Sequence, residues 1–271
     1  MPSPWGQLHL RIAGAPGPQR PLLLLHPTPK SGWIYEPLMP LLAIGRVVVA
    51  ADTPGYGASD PPPAPVSIDD FAATMLAAVG RLVDLGRMPA GPVDVLGYHT
   101  GSVVAAAMAA LAPARVARLV LVSLAAYPPD ERARKLETLA RWPLSRDDGG
   151  HLQDLWSLIG TLSDARLSAD WKQASLTENL RAGPRATWGY DAVYRHDFQA
   201  ALDRLQHPTL ILNPEDDLFA VTAANAPRVR HARYIELPGA KHGLFAVDAP
   251  RIAGLVSGFL ETEELAGGRG A

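Results

Sequence analysis

Residues 93–105 read VDVLGYHTGSVVA, an apolar strand pattern that runs through Gly97-Tyr98-His99-Thr100-Gly101 straight into a helix of small residues. Strand, sharp turn and helix together make a strained corner that holds one side chain clear of the backbone. Glycines flank such a corner because side chains there would strike the adjoining strand and helix. The corner residue here is histidine. The pattern G-x-S-x-G puts a serine there, which needs a base to become a nucleophile, whereas an imidazole with an unperturbed pKa of about 6.5 is mostly neutral at pH 7. It can attack an activated acyl carbon directly, giving an acyl-imidazole that water cleaves readily. It can equally act as a general acid or base.

The elements that must hold this corner alternate along the chain. Strand-type runs PLLLLH, RVVVAAD, VDVLG and RLVLVS are separated by helix-type segments YEPLMPLLA, SIDDFAATMLAAVGRLVDLG and SVVAAAMAALA. Near-continuous apolar strands alternating with helices predict an α/β fold, a mostly parallel sheet with helices on both faces. From Tyr127 to Asp203 the pattern is helical, broken at Pro143, Gly149-Gly150, Gly160 and Gly183-Pro184. Strands resume at TLILN (Thr209 to Asn213) and RYIELPG (Arg233 to Gly239), and an apolar helix from Pro250 to about Leu260 precedes a Gly-rich tail. The expected organisation is a core at residues 1–126 and 204–271 with a helical cap inserted at 127–203. That insertion holds Trp142, Trp156, Trp171, Trp188, Tyr190 and Tyr194, which either wall an apolar pocket or fill the cap's own small core.

Further stretches carry a resemblance. LLLLHPTP ends a strand and opens a loop, and RVVVAADTPGYGASDPP contains Asp52, Pro54, Gly55, Gly57, Ser59 and Asp60 in a D-x-P-G-x-G-x-S-D pattern. HPTLILNPEDD and LPGAKHG follow downstream in that order. Over about Leu22 to Leu260 the chain resembles a capped α/β-hydrolase, whose chain order is elbow, acid, histidine. The resemblance implies Asp217 as the acid and His242 as the histidine. It also implies an oxyanion hole from the backbone N–H groups of Thr28 and Thr100. Glu215, Asp216 and Asp217 also read as a solvated acidic turn, in which spacing from Pro208 favours Asp217 over Asp216, and His242 also reads as a surface residue after a Pro-Gly turn. The Asp52–Asp60 loop reads as structural, its glycines and proline shaping a turn.

Two positions depart from the family pattern. Pro27 stands where the family has glycine, leaving Thr28 to supply the N–H, with Pro27 and Pro29 stiffening the loop. His99 stands where the family has serine, and its bulkier ring occupies space an ester carbonyl would use. Three roles are open to it. It is the nucleophile, with His242 and Asp217 shuttling the proton; or it works with His242 on a water or an acidic proton of the substrate; or His26, His99, His242 and Asp217 converge on a divalent metal, although no metal-motif spacing is present. Ser102 reads as a helix residue rather than a substitute nucleophile.

The 271 residues are 48% hydrophobic and 19% charged with a formal net charge of −2, a balance that gives no footprint for nucleic acid or an anionic membrane. The absence of cysteine excludes disulfides, zinc-thiolate sites and cysteine nucleophiles, and fits a cytoplasmic protein. Leu22 to Leu25 is too short to span a membrane and has no cleavage-site pattern after it. No nucleotide, flavin or phosphate motif implies a cofactor, and no metal is expected. The expectation is an enzyme whose partner is a small, partly apolar substrate, hydrolysed at an ester, lactone or related acyl bond by His99, Asp217 and His242. The alternatives are a proton-transfer enzyme of the same fold (lyase, isomerase or cofactor-free oxygenase) and a non-catalytic ligand-binding protein.

Overall fold

The computed structural model describes residues 1–262. A small antiparallel pair, β1 (Pro2–Ser3) and β2 (Gly6–Gln7), precedes the main sheet, which is formed by β3 (Leu10–Ala13), β4 (Leu22–Leu25), β5 (Val48–Ala51), β6 (Val93–Tyr98), β7 (Val116–Val122), β8 (Thr209–Pro214) and β9 (Ala232–Leu237). Their spatial order is β3-β5-β4-β6-β7-β8-β9, with β3 antiparallel to β5 and the other neighbours parallel. The four leucines of β4 show why helices cover both faces. All are buried, and they alternate between two cores, Leu23 and Leu25 on one side and Leu22 and Leu24 on the other. Each such side chain contributes about 1.5–3 kcal/mol of burial free energy.

After the short α1 (Met39–Leu42), the first face is covered by α2 (Ile68–Asp84), started by a capping box of Ser67 and Asp70, by the alanine-rich α3 (Thr100–Leu111) and, further along the chain, by α8 (Phe198–Arg204). Ala105, Ala106 and Ala107 are all buried; their small side chains let α3 lie close against the strands. Between β7 and β8 the described chain is helical: α4 (Pro129–Thr138), α5 (Gly150–Leu162), α6 (Ala169–Ala182), α7 (Trp188–Arg195) and α8 (Phe198–Arg204), with short 3₁₀ turns. Phe198 and Leu202 of α8 are buried in the same core as α3. After β8 come α9 (Phe219–Asn225), α10 (Leu244–Val247) and α11 (Ala249–Leu260), the last two covering the other face with α1. Residues 263–271, the end of the expected core and its Gly-rich tail, lie outside the described residues. No described helix is long and apolar enough to cross a membrane.

Topology and register place the site. From β4 the chain goes outward to β5 and returns to β6 on β4's other side, the reversal at which open α/β sheets leave a crevice beyond the carboxyl ends of their strands. Leu25 pairs with Gly97, Tyr98 with Val122 and Val122 with Leu212. The loop after Leu25, the corner at His99, Ser123 and the acidic turn after Pro214 therefore emerge side by side.

Candidate functional site

The corner has the backbone its sequence requires. His99 adopts φ 51° and ψ −114°, a region sparsely populated by residues with a side chain. A Cβ on Gly97 would strike the Gly101 carbonyl, and one on Gly101 would strike that of Leu25. Ser102 is fully buried, its Oγ 2.8 Å from the carbonyls of both Gly97 and Val122 and accepting the Val122 N–H at 3.1 Å. It ties α3 to β6 and β7, as a structural helix residue would.

Two carboxylates meet two imidazoles. The His99 Nε2 donates to Asp216 Oδ2 at 2.9 Å, and the His242 Nε2 donates to Asp217 Oδ1 at 2.7 Å. The ring centroids of the histidines lie 5.0 Å apart at 60°. The expected His99, Asp217 and His242 are thus brought together. Asp216, which spacing had disfavoured, joins them, because consecutive residues of the turn point their carboxylates at different rings. Asp216 is held on every side: Ser123 Oγ donates to Oδ2 at 2.6 Å, the Tyr98 hydroxyl lies 3.4 Å from the same atom, and the Leu218 N–H donates to Oδ1 at 2.8 Å. Ser123 is fully buried and has φ 56°. Only the doubled acid in NPEDD hinted at Asp216, and nothing in the sequence marks Ser123.

The electrostatics of the first pair favour its ionic form. Burial alone would lower the His99 imidazole, but the charge and hydrogen bond of Asp216, with the charge of Asp217, outweigh it and hold His99 above its ordinary value of 6.5. Burial would likewise raise Asp216, and the charge and hydrogen bond of His99 hold it below the usual carboxylate range. Asp217 is also held low, the His242 hydrogen bond and the His99 charge overcoming its desolvation.

These groups face a cavity of about 120 Å³ lined by Thr28, His99, Asp217 and His242, and by side chains of the helical segment including Trp142, Trp171 and Tyr190. Of the aromatics in that segment, Trp156 is exposed, while Tyr194 packs beside Tyr127 against the core. Thr28 and Thr100 are adjacent, the Thr28 N–H lying 3.4 Å from Thr100 Oγ1, a long contact that a stronger acceptor would displace. Thr100 N–H, at the start of α3, has no acceptor within its own helix. The Thr28 loop is pinned from the helical segment, where the Tyr190 hydroxyl donates to the Thr28 carbonyl at 2.8 Å and Gly189 packs so closely that a Cβ would strike Thr28 Oγ1.

His26 plays a different part from the one a metal reading gives it. It is buried, its Nδ1 donates to the Pro27 carbonyl at 2.9 Å, and its Nε2 accepts the Thr53 N–H at 2.9 Å. That fixes a neutral tautomer in the loop scaffold, and burial lowers its pKa further. The Asp52–Asp60 loop is structural as well: the Asp52 carboxylate accepts from Gly32 N at 2.8 Å, Ala58 N at 2.9 Å and Arg11 at 2.8 Å. His99, Asp216, Asp217 and His242 offer donor atoms within 4.8 Å of one another, types that suit a divalent cation. Here both Asp216 oxygens already accept protein hydrogen bonds and Asp217 accepts the His242 N–H, so these groups serve each other.

A family model described as alpha/beta hydrolase fold matches residues 20–249. The chain is 32% identical over 208 residues to 2-hydroxy-6-oxononadienedioate/2-hydroxy-6-oxononatrienedioate hydrolase 2 of Pseudomonas putida, covering 70% of this chain and 68% of that one. It is 27% identical over 260 residues to a pimeloyl-[acyl-carrier protein] methyl ester esterase of Xanthomonas campestris pv. campestris, covering 91% and 96%. Among solved structures, a hydrolase from Pseudomonas aeruginosa PA01 superposes with TM-score 0.78 at 23% identity over 94% of each chain.

Proposed function

Because the chain belongs to the α/β-hydrolase family, we propose that it hydrolyses an ester, lactone or related acyl bond of a small, partly apolar substrate, using two His–Asp pairs in place of an acyl-enzyme. The observation that carries this reading is the parallel pairing of His99 with Asp216 and His242 with Asp217 at the wall of one cavity. His99 is poorly suited to be a nucleophile, since its outer nitrogen is committed to Asp216 and its raised pKa favours the imidazolium. His242, with Nε2 on Asp217, has Nδ1 left to take a proton from water. That water adds to the acyl carbon, and the Thr28 and Thr100 N–H groups stabilise the resulting oxyanion. The imidazolium of His99 gives its second proton to the leaving oxygen as the tetrahedral intermediate collapses to acid and alcohol. Proton return from His242 to His99 through solvent resets the site. The helical segment, expected as a cap over 127–203, closes the cavity with Trp142, Trp171 and Tyr190. A methyl ester esterase among the relatives is consistent with this bond class.

The same pairs also suit a non-hydrolytic proton transfer, because no oxygen nucleophile stands at the corner. Turnover of short-chain nitrophenyl esters and lactones in ¹⁸O-labelled water separates the two. Hydrolysis puts one labelled oxygen into the carboxylic acid product; acid formation without label, or conversion of substrate to an isomer or elimination product, contradicts it.

A further inference from the structure

The cavity holds a charged group that the hydrolytic chemistry does not use. Lys30, two residues beyond Thr28, is the only lysine or arginine among the described residues that line it. Its ammonium donates to the carbonyl of Ser175 at 2.9 Å and to Ser175 Oγ at 2.6 Å, both on α6. No carboxylate lies within 4.0 Å of it among the described residues; Glu178, which shares α6, acts on it only from beyond ion-pair distance. An ammonium has three donors, so one N–H of Lys30 remains uncommitted. Ser175 is buried and accepts from Lys30, leaving its own O–H free to donate. Buried Asn179, one turn further along α6, uses one N–H on the Ser175 carbonyl at 2.8 Å and keeps the other. All three residues line the cavity, and their uncommitted groups include three donors and one ammonium charge.

We propose that Lys30, Ser175 and Asn179 form an anion subsite that receives a carboxylate on the substrate, so that the preferred substrates are acyl compounds carrying a second, ionised acid group. This rests on the reading of the cavity as the substrate site. A desolvated ammonium without an ion partner is costly to retain, and desolvation pushes Lys30 down to about 7 against the pull of Glu178; a bound carboxylate restores the missing partner. With the anion held beside α6 and the acyl bond beside His99 and His242, the two ends of the cavity set the direction in which the substrate lies.

The test compares binding of butyrate and its neutral isostere butyramide by NMR titration, which needs no turnover. Wild type is expected to bind butyrate roughly tenfold to a hundredfold more tightly than butyramide, the worth of one hydrogen-bonded charge. Lys30→Met should abolish that preference, and Ser175→Ala, which keeps the charge, should reduce it. His99→Ala should leave it intact, so loss of the hydrolytic reading and loss of the subsite are read separately. Equal affinity for the two ligands in wild type, or a preference that persists in folded Lys30→Met, overturns the proposal. If Lys30→Met does not fold, an unchanged preference in Ser175→Ala overturns it.

Discussion

At the residue scale the proposed chemistry turns on which proton each imidazole carries. His99 is raised above 6.5 by Asp216 against the effect of burial, so its imidazolium is present at low pH and is lost as pH rises through that raised value. The value of kcat/KM should therefore fall along an alkaline limb that belongs to His99. Asp216→Asn removes the charge that raises it and should move the limb to lower pH; an unmoved limb contradicts the assignment. The pair's stabilising contribution is complete between about 3.9 and about 6.5, the unfolded carboxyl and imidazole values; it fades as pH rises through the raised His99 value and again as pH falls through the lowered Asp216 value. Ser123 acts on Asp216 rather than on substrate. Ser123→Ala should lower kcat about tenfold with little change in KM, the loss of one hydrogen bond to a charged group, and should shift the pH limb; a change in stability alone would leave Ser123 a purely structural residue. His99, His242 and Asp217 were legible because each sits in a motif of characteristic neighbours. Asp216 was not, because adjacency in sequence does not say which way two carboxylates of one turn point. Ser123 was not, because a left-handed serine after an apolar strand leaves no trace in residue type.

At the element scale the sequence is legible where burial dictates the residue pattern and illegible where local geometry does. β4, β6, β7 and β8 stand at the apolar runs that announced them, since a strand covered on both faces must be apolar at every position. The segment YEPLMPLLA, expected as a helix, holds only the four-residue α1 after Tyr35 closes a 3₁₀ turn begun at Gly32; Pro40 is accepted in the first turn of α1, and neither Pro37 nor Pro40 could donate the N–H that a helix continuous from Tyr35 requires. The edge strand β3 went unread: LRIA is short, and its Arg11 reaches out to Asp52 and Glu36 rather than into the core. The elbow makes the sharpest prediction at this scale. Gly101→Ala puts a methyl group against the backbone of Leu25, which cannot swing away as a side chain would. It should cost about 1–3 kcal/mol or more, seen as a lowered denaturation midpoint; an unchanged midpoint would show that α3 can withdraw from β4.

At the scale of the whole molecule, the sheet gathers the carboxyl ends of β4, β6, β7, β8 and β9 at one crevice and the helical segment supplies the apolar wall opposite them. A serine hydrolase of this fold stores its reactivity in one oxygen at the corner. In the mechanism proposed above, this chain distributes it over two acid–base pairs; the fold was readable from sequence because apolar strands announce it, whereas the pairing of His99 with Asp216 needed coordinates. General acid and general base catalysis are each worth about 100-fold to 10,000-fold. The most direct test of the two-pair claim is kcat/KM on a panel of short-chain nitrophenyl esters and lactones for wild type, His99→Ala, His242→Ala and His99→Ser. The account predicts an active wild type and a loss of at least about 100-fold in each alanine variant. An active wild type whose His99→Ala variant retains full activity, or a silent wild type that gains ester hydrolysis on His99→Ser, would contradict it.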